Sequence, residues 1–147
     1  MSNKKLAIIS ACLAGINCRY NGNHCLTEYL NVYKDKYILI PVCPEQLGGL
    51  PTPRLKCEIK DGDGFEILDG KTFIYNEHNE NVTEKFLNGA NEVLKICQLL
   101  GINIAFFKEK SPSCGVRKIY NNKTLVNGCG ITTALLLRNN IQVFGVE

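Results

Sequence analysis

Short apolar runs alternate with amphipathic stretches along most of this chain. Four runs are short, rich in β-branched residues and bounded by polar positions, which is the pattern of buried strands; they cover residues 5–9, 37–42, 102–107 and 141–146. The spacing of apolar residues predicts helices at residues 28–34, from Asn81 or Thr83 to Gly101, and at residues 131–140. This order predicts an α/β fold with right-handed crossovers and a mostly parallel sheet flanked by helices.

Two segments depart from the alternation. Residues 57–81 carry GDG, LDG and NEHNEN between the short apolar runs FEIL and KTFIY, which predicts a small β-hairpin or meander insertion. Residues 42–54, VCPEQLGGLPTPR, hold a cysteine, a carboxylate, a glycine pair and three of the five prolines, which is the composition of a loop. A short extended piece is also predicted at residues 120–126.

Size and composition limit the possible functions. The 147 residues suit one domain, residues 1–147, with enough hydrophobic residues (45%) for a core. The net charge of +3 comes without a run of lysine and arginine, so nucleic acid is not an expected partner. The N-terminal stretch predicts a strand rather than a signal peptide or membrane span, so we expect a cytoplasmic protein. Thiols stay reduced in the cytoplasm, and a disulfide framework is not expected from the eight cysteines.

Three cysteines follow predicted strands at or near their carboxyl ends: Cys12, Cys43 and Cys114. In open α/β sheets the loops after neighbouring strands converge and bind ligands, so thiols far apart in sequence can meet at one edge. Three thiolates suit a soft metal site, either zinc or an iron-sulfur cluster. With three protein ligands, one metal position stays open for a substrate, as in catalytic sites. The alternative for each thiol is a small buried hydrophobe.

The remaining cysteines have other interpretations. Four are predicted as core thiols: Cys25, Cys57, Cys97 and Cys129. Cys18, six residues after Cys12, is open to three interpretations: a fourth ligand, a redox partner or a core thiol. A zinc site built from cysteine and histidine would have to rely on His24, because His78 lies in the polar stretch NEHNEN.

Polar residues and glycines accompany the cysteines in these loops. Glu45 comes two residues after Cys43, and we expect it to act as a general acid/base beside the metal. Ser111 and Ser113 precede Cys114 and are candidates for hydrogen bonds to substrate or to cluster sulfur. The candidate substrate-binding residues are Arg19, Tyr20, Gly48, Gly49 and Arg54. A solvated or turn-forming role is the alternative for each.

A family resemblance rests on six motifs in order: SACLAGINCRYNG, VCPEQLGGLPTPR, GDG, NVTEKFLNGA, FFKEKSPSCG and ITTALLL. Together they resemble the thiouracil desulfidase family, a bacterial family catalogued as a domain of unknown function, over almost the whole chain. Two positions depart from the family pattern. Asn21 stands where the family commonly has aspartate, and Cys129 stands where an acidic residue is more usual.

The resemblance implies a single Rossmann-like domain with a 4Fe-4S cluster. The cluster would be held by Cys12, Cys43 and Cys114, leaving the fourth iron without a protein ligand to take the sulfur of a thiocarbonyl base. Glu45 would handle proton transfer and water attack, and a serine would help to hold the substrate, with Ser111 as first choice.

The main hypothesis is therefore a 4Fe-4S-dependent desulfidase, a hydrolase or lyase. It would convert a small thiolated nucleobase or nucleoside into the oxo base and hydrogen sulfide. One alternative is a non-catalytic iron-sulfur or redox protein, with Cys18 as a fourth ligand and no role for Glu45. Another is a structural module that binds one zinc ion.

Overall fold

The computed structural model describes residues 3–147, so the first two residues of the predicted domain lie outside the described part. In chain order its elements are β1 (Lys5–Ser10), α1 (Leu30–Lys36), β2 (Tyr37–Val42), α2 (Pro44–Leu47), β3 (Cys57–Ile59), α3 (Gly64–Leu68), β4 (Ile74–Asn76), α4 (Thr83–Leu100), β5 (Ile104–Lys108), β6 (Lys118–Asn121), β7 (Thr124–Asn127), α5 (Ile131–Arg138) and β8 (Gln142–Val146). A 3-10 turn over Ala11–Ala14 follows β1 directly.

The four predicted core strands form one parallel sheet in the order β2-β1-β5-β8. The chain places β2 on one side of β1 and β5 on the other, so the strand order reverses between β1 and β5. In such sheets the crevice beyond the carboxyl ends at this reversal is the usual place for a ligand. The predicted α/β fold with a mostly parallel sheet is confirmed.

Both faces of the sheet are covered, as predicted. Side chains from the strands, α4 and α5 form the core on one face, with Ile8, Val93, Cys97, Ala105, Phe107 and Leu136 among its buried members. On the other face Tyr33 of α1 stacks on Phe106 of β5, with ring centroids 4.2 Å apart. The long predicted helix is confirmed as α4, and it ends at Gly101, whose φ of 67° suits glycine.

The insertion differs from its prediction in one element. Strands β3 and β4 form the expected antiparallel pair, but the run FEIL between them lies in helix α3 and not in a strand. The reason is a local cap, because the Asp63 carboxylate accepts a hydrogen bond from the backbone N–H of Phe65 at 3.0 Å. This insertion packs on α4 and α5 through a third apolar cluster that includes Ile59, Ile74 and Phe86.

Three smaller predictions need adjustment. The segment 42–54 is not wholly a loop, because α2 forms a helical turn with Pro44 at its start, where the missing N–H costs no hydrogen bond. Helix α1 begins at Leu30 rather than residue 28, and the extended piece at 120–126 is the hairpin β6–β7. No helix within residues 3–147 is long and apolar enough to cross a membrane.

Candidate active site

Cys12, Cys43 and Cys114 lie beyond the carboxyl ends of three neighbouring strands, β1, β2 and β5. The parallel register pairs Ser10 with Val42, so β1 and β2 end level and their next residues enter the same space. All three cysteines line one cavity of about 980 Å³. The structure thus brings together, at the strand reversal, three thiols of which the outermost two are 102 positions apart in sequence.

Cys18 is a fourth thiol of the same cluster. Gly15, with a φ of 88°, ends the 3-10 turn and lets the chain double back. The Cys18 side chain is 3% exposed and forms hydrogen bonds with the thiols of Cys12 and Cys43. The Cys43 thiol also donates to the carbonyl oxygen of Cys18, at 3.7 Å. The sequence spacing assigned no single role to Cys18, because its position depends on the turn at Gly15.

Mutual contact and burial favour the protonated forms of Cys43 and Cys18. The pKa of Cys43 is raised far above its ordinary value, first by its hydrogen bond with Cys18 and then by burial. The hydrogen bond with Cys12 is the largest cause that raises the pKa of Cys18 to about 11. Bringing several thiolates together here needs a strong local positive charge, which a metal centre supplies when it displaces thiol protons. The donor set therefore fits a soft metal cluster.

Cys114 lines the same cavity and is buried. Burial raises its pKa most, and Cys43 and Glu45 raise it further, while hydrogen bonds with the hydroxyls of Ser10 and Ser113 act in the opposite direction. Ser10 is 2% exposed, and its oxygen also accepts from the backbone N–H of Lys108 at 3.0 Å. Ser10 was not among the predicted site residues, and its place at the end of a buried strand, two positions before Cys12, was the signal for it.

The described part of the chain forms no zinc site of cysteine and histidine. Within residues 3–147 no three His, Cys, Asp or Glu side chains are grouped so as to hold a metal ion. His24 is exposed, and its Nδ1 accepts a hydrogen bond from the backbone N–H of Leu26 at 3.0 Å. A cluster binds its thiolates on separate irons, so it does not require three donors around one point.

Glu45 lies in the first turn of α2 and lines the cavity. Its side chain is 14% exposed and forms an ion pair with Arg54, whose side chain is 6% exposed. The Arg54 Nε–H donates to Glu45 Oε2 at 2.7 Å. The predicted acid/base candidate is therefore near Cys43 and Cys114, and the predicted substrate-binding Arg54 is directed at this carboxylate.

Ser111 and Ser113 have different surroundings. Ser111 lines the cavity, and its Oγ accepts from the backbone N–H groups of Ser113 at 3.0 Å and Cys114 at 3.1 Å. Ser113 is 1% exposed and pairs with the hydroxyl of Thr132 at 2.8 Å. Of the two hydroxyls, that of Ser111 is the one placed to meet a ligand in the cavity.

The other predicted substrate-binding residues divide into two pairs. Arg19 and Tyr20 line the cavity, with the guanidinium of Arg19 5.7 Å from the ring centroid of Tyr20. Gly48 and Gly49 do not line it, and their backbone N–H groups donate to the carbonyl oxygens of Pro44 and Gln46 in α2. A Cβ on Gly48 would clash with the carbonyl of Lys85, so this glycine lets α2 pack closely against α4.

Glu109 is a buried carboxylate for which the sequence predicted no role. Its side chain is fully buried, and it accepts from the backbone N–H groups of Val116 and Arg117 at 2.8 and 2.9 Å and from Arg117 Nε at 2.8 Å. These bonds tie down the segment that carries Ser111 and Cys114. A glutamate between two lysines predicts a solvated side chain, so the sequence held no clear signal for this role.

The chain is similar to known proteins in sequence and in fold. The model of the 2-thiouracil desulfurase family matches residues 7–147. The uncharacterised protein YbbK of Bacillus subtilis (strain 168) is 38% identical over 141 residues, covering 94% of this chain and 93% of its own. The solved structure of the 4Fe-4S-dependent thiouracil desulfidase TudS is similar, with a TM-score of 0.83, 39% identity, and coverage of 97% of this chain and 91% of that one.

Proposed function

The chain belongs to the 2-thiouracil desulfurase family, and we propose that it is a 4Fe-4S-dependent desulfidase acting on a small thiolated nucleobase or nucleoside. The products are the oxo base and hydrogen sulfide, so that water replaces sulfur at the thiocarbonyl carbon. The observation that carries the proposal is the cavity in which thiols from three strand ends meet the carboxylate of Glu45. The similarity to TudS supports the same assignment.

Cys12, Cys43 and Cys114 are the residues that would hold the cluster. Each follows a different strand of the sheet, so the three thiols approach the cavity from separate loops. When bound, the cluster supplies a Lewis-acidic iron without a protein ligand, which prefers a soft thiocarbonyl sulfur to oxygen. Cys18 is the additional thiol beside this set.

The chain's own residues supply the proton transfers and the binding contacts. Both contacts from Arg54 fall on Oε2 of Glu45, so Oε1 is the oxygen that can take a proton from the attacking water. The same carboxyl can pass that proton to the sulfur. It can then take the second proton from the new hydroxyl as the carbon–sulfur bond breaks and the oxo base forms, and pass it on, so that both protons of water end on hydrogen sulfide. The hydroxyl of Ser111 is placed to donate a hydrogen bond to the base, and Tyr20 offers a ring surface at the cavity wall.

The test is anaerobic reconstitution followed by iron and sulfide analysis and a sulfide-release assay with thiouracils and thiouridines. We expect a brown protein with about four irons per chain that releases sulfide. Alanine variants of Cys12, Cys43 and Cys114 should each lose iron. The matched control is Cys97→Ala, because Cys97 lies on the buried face of α4 in the core and does not line the cavity.

Two results would contradict the proposal. One is a colourless protein that binds a single zinc ion. The other is an intact cluster that releases no sulfide from any thiolated base or nucleoside.

A redox carrier is the second candidate, favoured by the contacts of Cys18 with Cys12 and Cys43. Four thiolate ligands would leave no open iron, as is usual for electron-transfer clusters. This function predicts that Cys18→Ala loses iron and that Glu45→Gln changes neither the iron content nor the reduction potential.

A further inference from the structure

Most N–H donors of the Arg54 guanidinium are hydrogen-bonded to other residues of the segment 42–54. A guanidinium has five N–H donors. The Nε–H and an Nη2–H contact Oε2 of Glu45. The Nη1 group donates to the carbonyl oxygen of Pro51 at 3.2 Å and to the hydroxyl of Thr52 at 3.1 Å. At most one N–H therefore remains for a molecule in the cavity.

The segment around Arg54 is itself held in place. Thr52 Oγ1 accepts a second hydrogen bond from Gln46 Nε2 at 2.7 Å, which joins the segment to α2. The backbone N–H of Arg54 donates to the carbonyl oxygen of Tyr20 at 2.8 Å. These bonds connect the loops after β1 and β2, so the guanidinium is positioned before any ligand arrives.

The ion pair leaves the two oxygens of Glu45 in different situations. Both arginine contacts fall on Oε2, while Glu45 as a whole lines the cavity. Two N–H donors on Oε2 restrict rotation of the carboxylate, so Oε1 is held in a fixed orientation. A general base that is held in the reactive orientation gives a faster reaction than one that rotates freely, because the free one is often out of position.

We propose that Arg54 is the positioning residue of Glu45: the guanidinium holds Oε2 so that Oε1 is presented to the reacting water. This inference rests on the proposed desulfidase function. It assigns Arg54 an action through Glu45, where the sequence predicted a direct contact with substrate.

Steady-state kinetics of the cluster-loaded protein separate the two roles. If Arg54 positions Glu45, Arg54→Ala should lower kcat about 100-fold and leave KM within about twofold. The affinity for the product base uracil, measured by calorimetry, should stay unchanged. Added methylguanidinium should restore part of the kcat of Arg54→Ala, and Arg54→Lys should retain an intermediate kcat because lysine keeps the charge without the paired donors.

A double-mutant cycle tests the action through Glu45. In the Glu45→Gln background, Arg54→Ala should cause little further loss of kcat, because the group that Arg54 holds is already disabled. Iron and sulfide content and the visible spectrum of each variant show whether the cluster is intact, which separates a positioning effect from loss of the site.

Three outcomes would overturn the inference. The first is a KM and a uracil dissociation constant that both rise while kcat is kept, which would make Arg54 a substrate ligand. The second is an additive loss in the Glu45→Gln background. The third is a loss of iron in Arg54→Ala that accounts for all of the lost activity. A wild-type protein that carries the cluster but releases no sulfide would overturn the proposed function, and this inference with it.

Discussion

The carboxylate of Glu109 lies directly against Gly145, the β8 residue paired with Phe107 of β5. A Cβ on Gly145 would clash with Oε2 of Glu109. The Glu109 side chain is fully buried and hydrogen-bonded on both oxygens, so it has little freedom to move aside. Because Gly145 on the edge strand β8 has no side chain, there is room for the Glu109 carboxylate, which holds the segment before β6 in place.

We expect Gly145→Ala to destabilise the protein by about 2 kcal/mol, because the added methyl overpacks a filled site. Urea unfolding measures the change. In a Glu109→Ala background the same substitution should cost much less, since the clashing carboxylate is gone. An equal cost in both backgrounds would show that Glu109 is not what confines Gly145.

The stability supplied by Glu109 should depend on pH. Burial alone would raise the pKa of its carboxyl, but hydrogen bonds from the Arg117 side chain and from the backbone of Val116, Arg117 and Lys118 outweigh burial and place the pKa below its ordinary value. A lowered pKa in the folded state means that the contribution is complete above the unfolded-state value of about 4.3 and is lost as the pH falls through the folded-state value.

Glu109→Gln should therefore cost about 2 kcal/mol at pH 7, and its difference from wild type should shrink below a pH of about 4. Urea unfolding of both cluster-free chains across this range measures the effect without a contribution from acid loss of iron. A difference that stays constant down to the lowest pH would contradict the role of the charged carboxylate.

Close packing of α2 on α4 should matter for the cluster. A Cβ on Gly89 would clash with the carbonyl oxygen of Pro44, the residue after Cys43. We expect Gly89→Ala to lower stability by about 2 kcal/mol and to reduce the iron bound after reconstitution, because α2 must shift. Asn88→Ala is the control, since Asn88 is an exposed neighbour on the same helix; equal iron loss in both variants would refute the explanation.

Ser111 and Ser113, the two serines before Cys114, should have different functions. Ser111→Ala should lower kcat by about tenfold or more, since Ser111 lines the cavity. Ser113→Ala should instead cost about 1 kcal/mol of stability through the lost Thr132 hydrogen bond, with a smaller effect on kcat. Sulfide release and urea unfolding of both variants decide the matter, and the reverse pattern would make Ser113 the substrate contact.

Cys18 should be dispensable for cluster assembly. Cys12, Cys43 and Cys114 supply three thiolates from three strand ends, so Cys18→Ala should retain about four irons per chain and sulfide release. Cys12→Ala, treated in parallel, should retain little iron. Loss of iron in Cys18→Ala would make Cys18 a ligand and favour the redox-carrier function.

The sequence predicts well those features that depend on local periodicity. Helix α4 follows from apolar residues at spacings of three and four, and the parallel sheet follows from the alternation of strands and helices. The convergence of three cysteines could be expected for the same reason, because parallel strands send their carboxyl ends to one edge. The run FEIL was assigned wrongly, since four apolar residues fit a strand or a helix and the Asp63 cap decided between them.

The sequence by itself thus determined the α/β fold and the loops in which the chemistry lies, through the order of apolar periods and the residues that follow each strand. Only the tertiary structure decided which side chains touch. Cys18 joins the thiols because the chain turns at Gly15, Arg54 meets Glu45 because their segment folds back on α2, and Glu109 is buried because Gly145 leaves space for it. Each of these contacts depends on how distant segments are placed in three dimensions. The spacing of the contacting residues along the chain follows no helix or strand period, so no sequence pattern predicts the contacts.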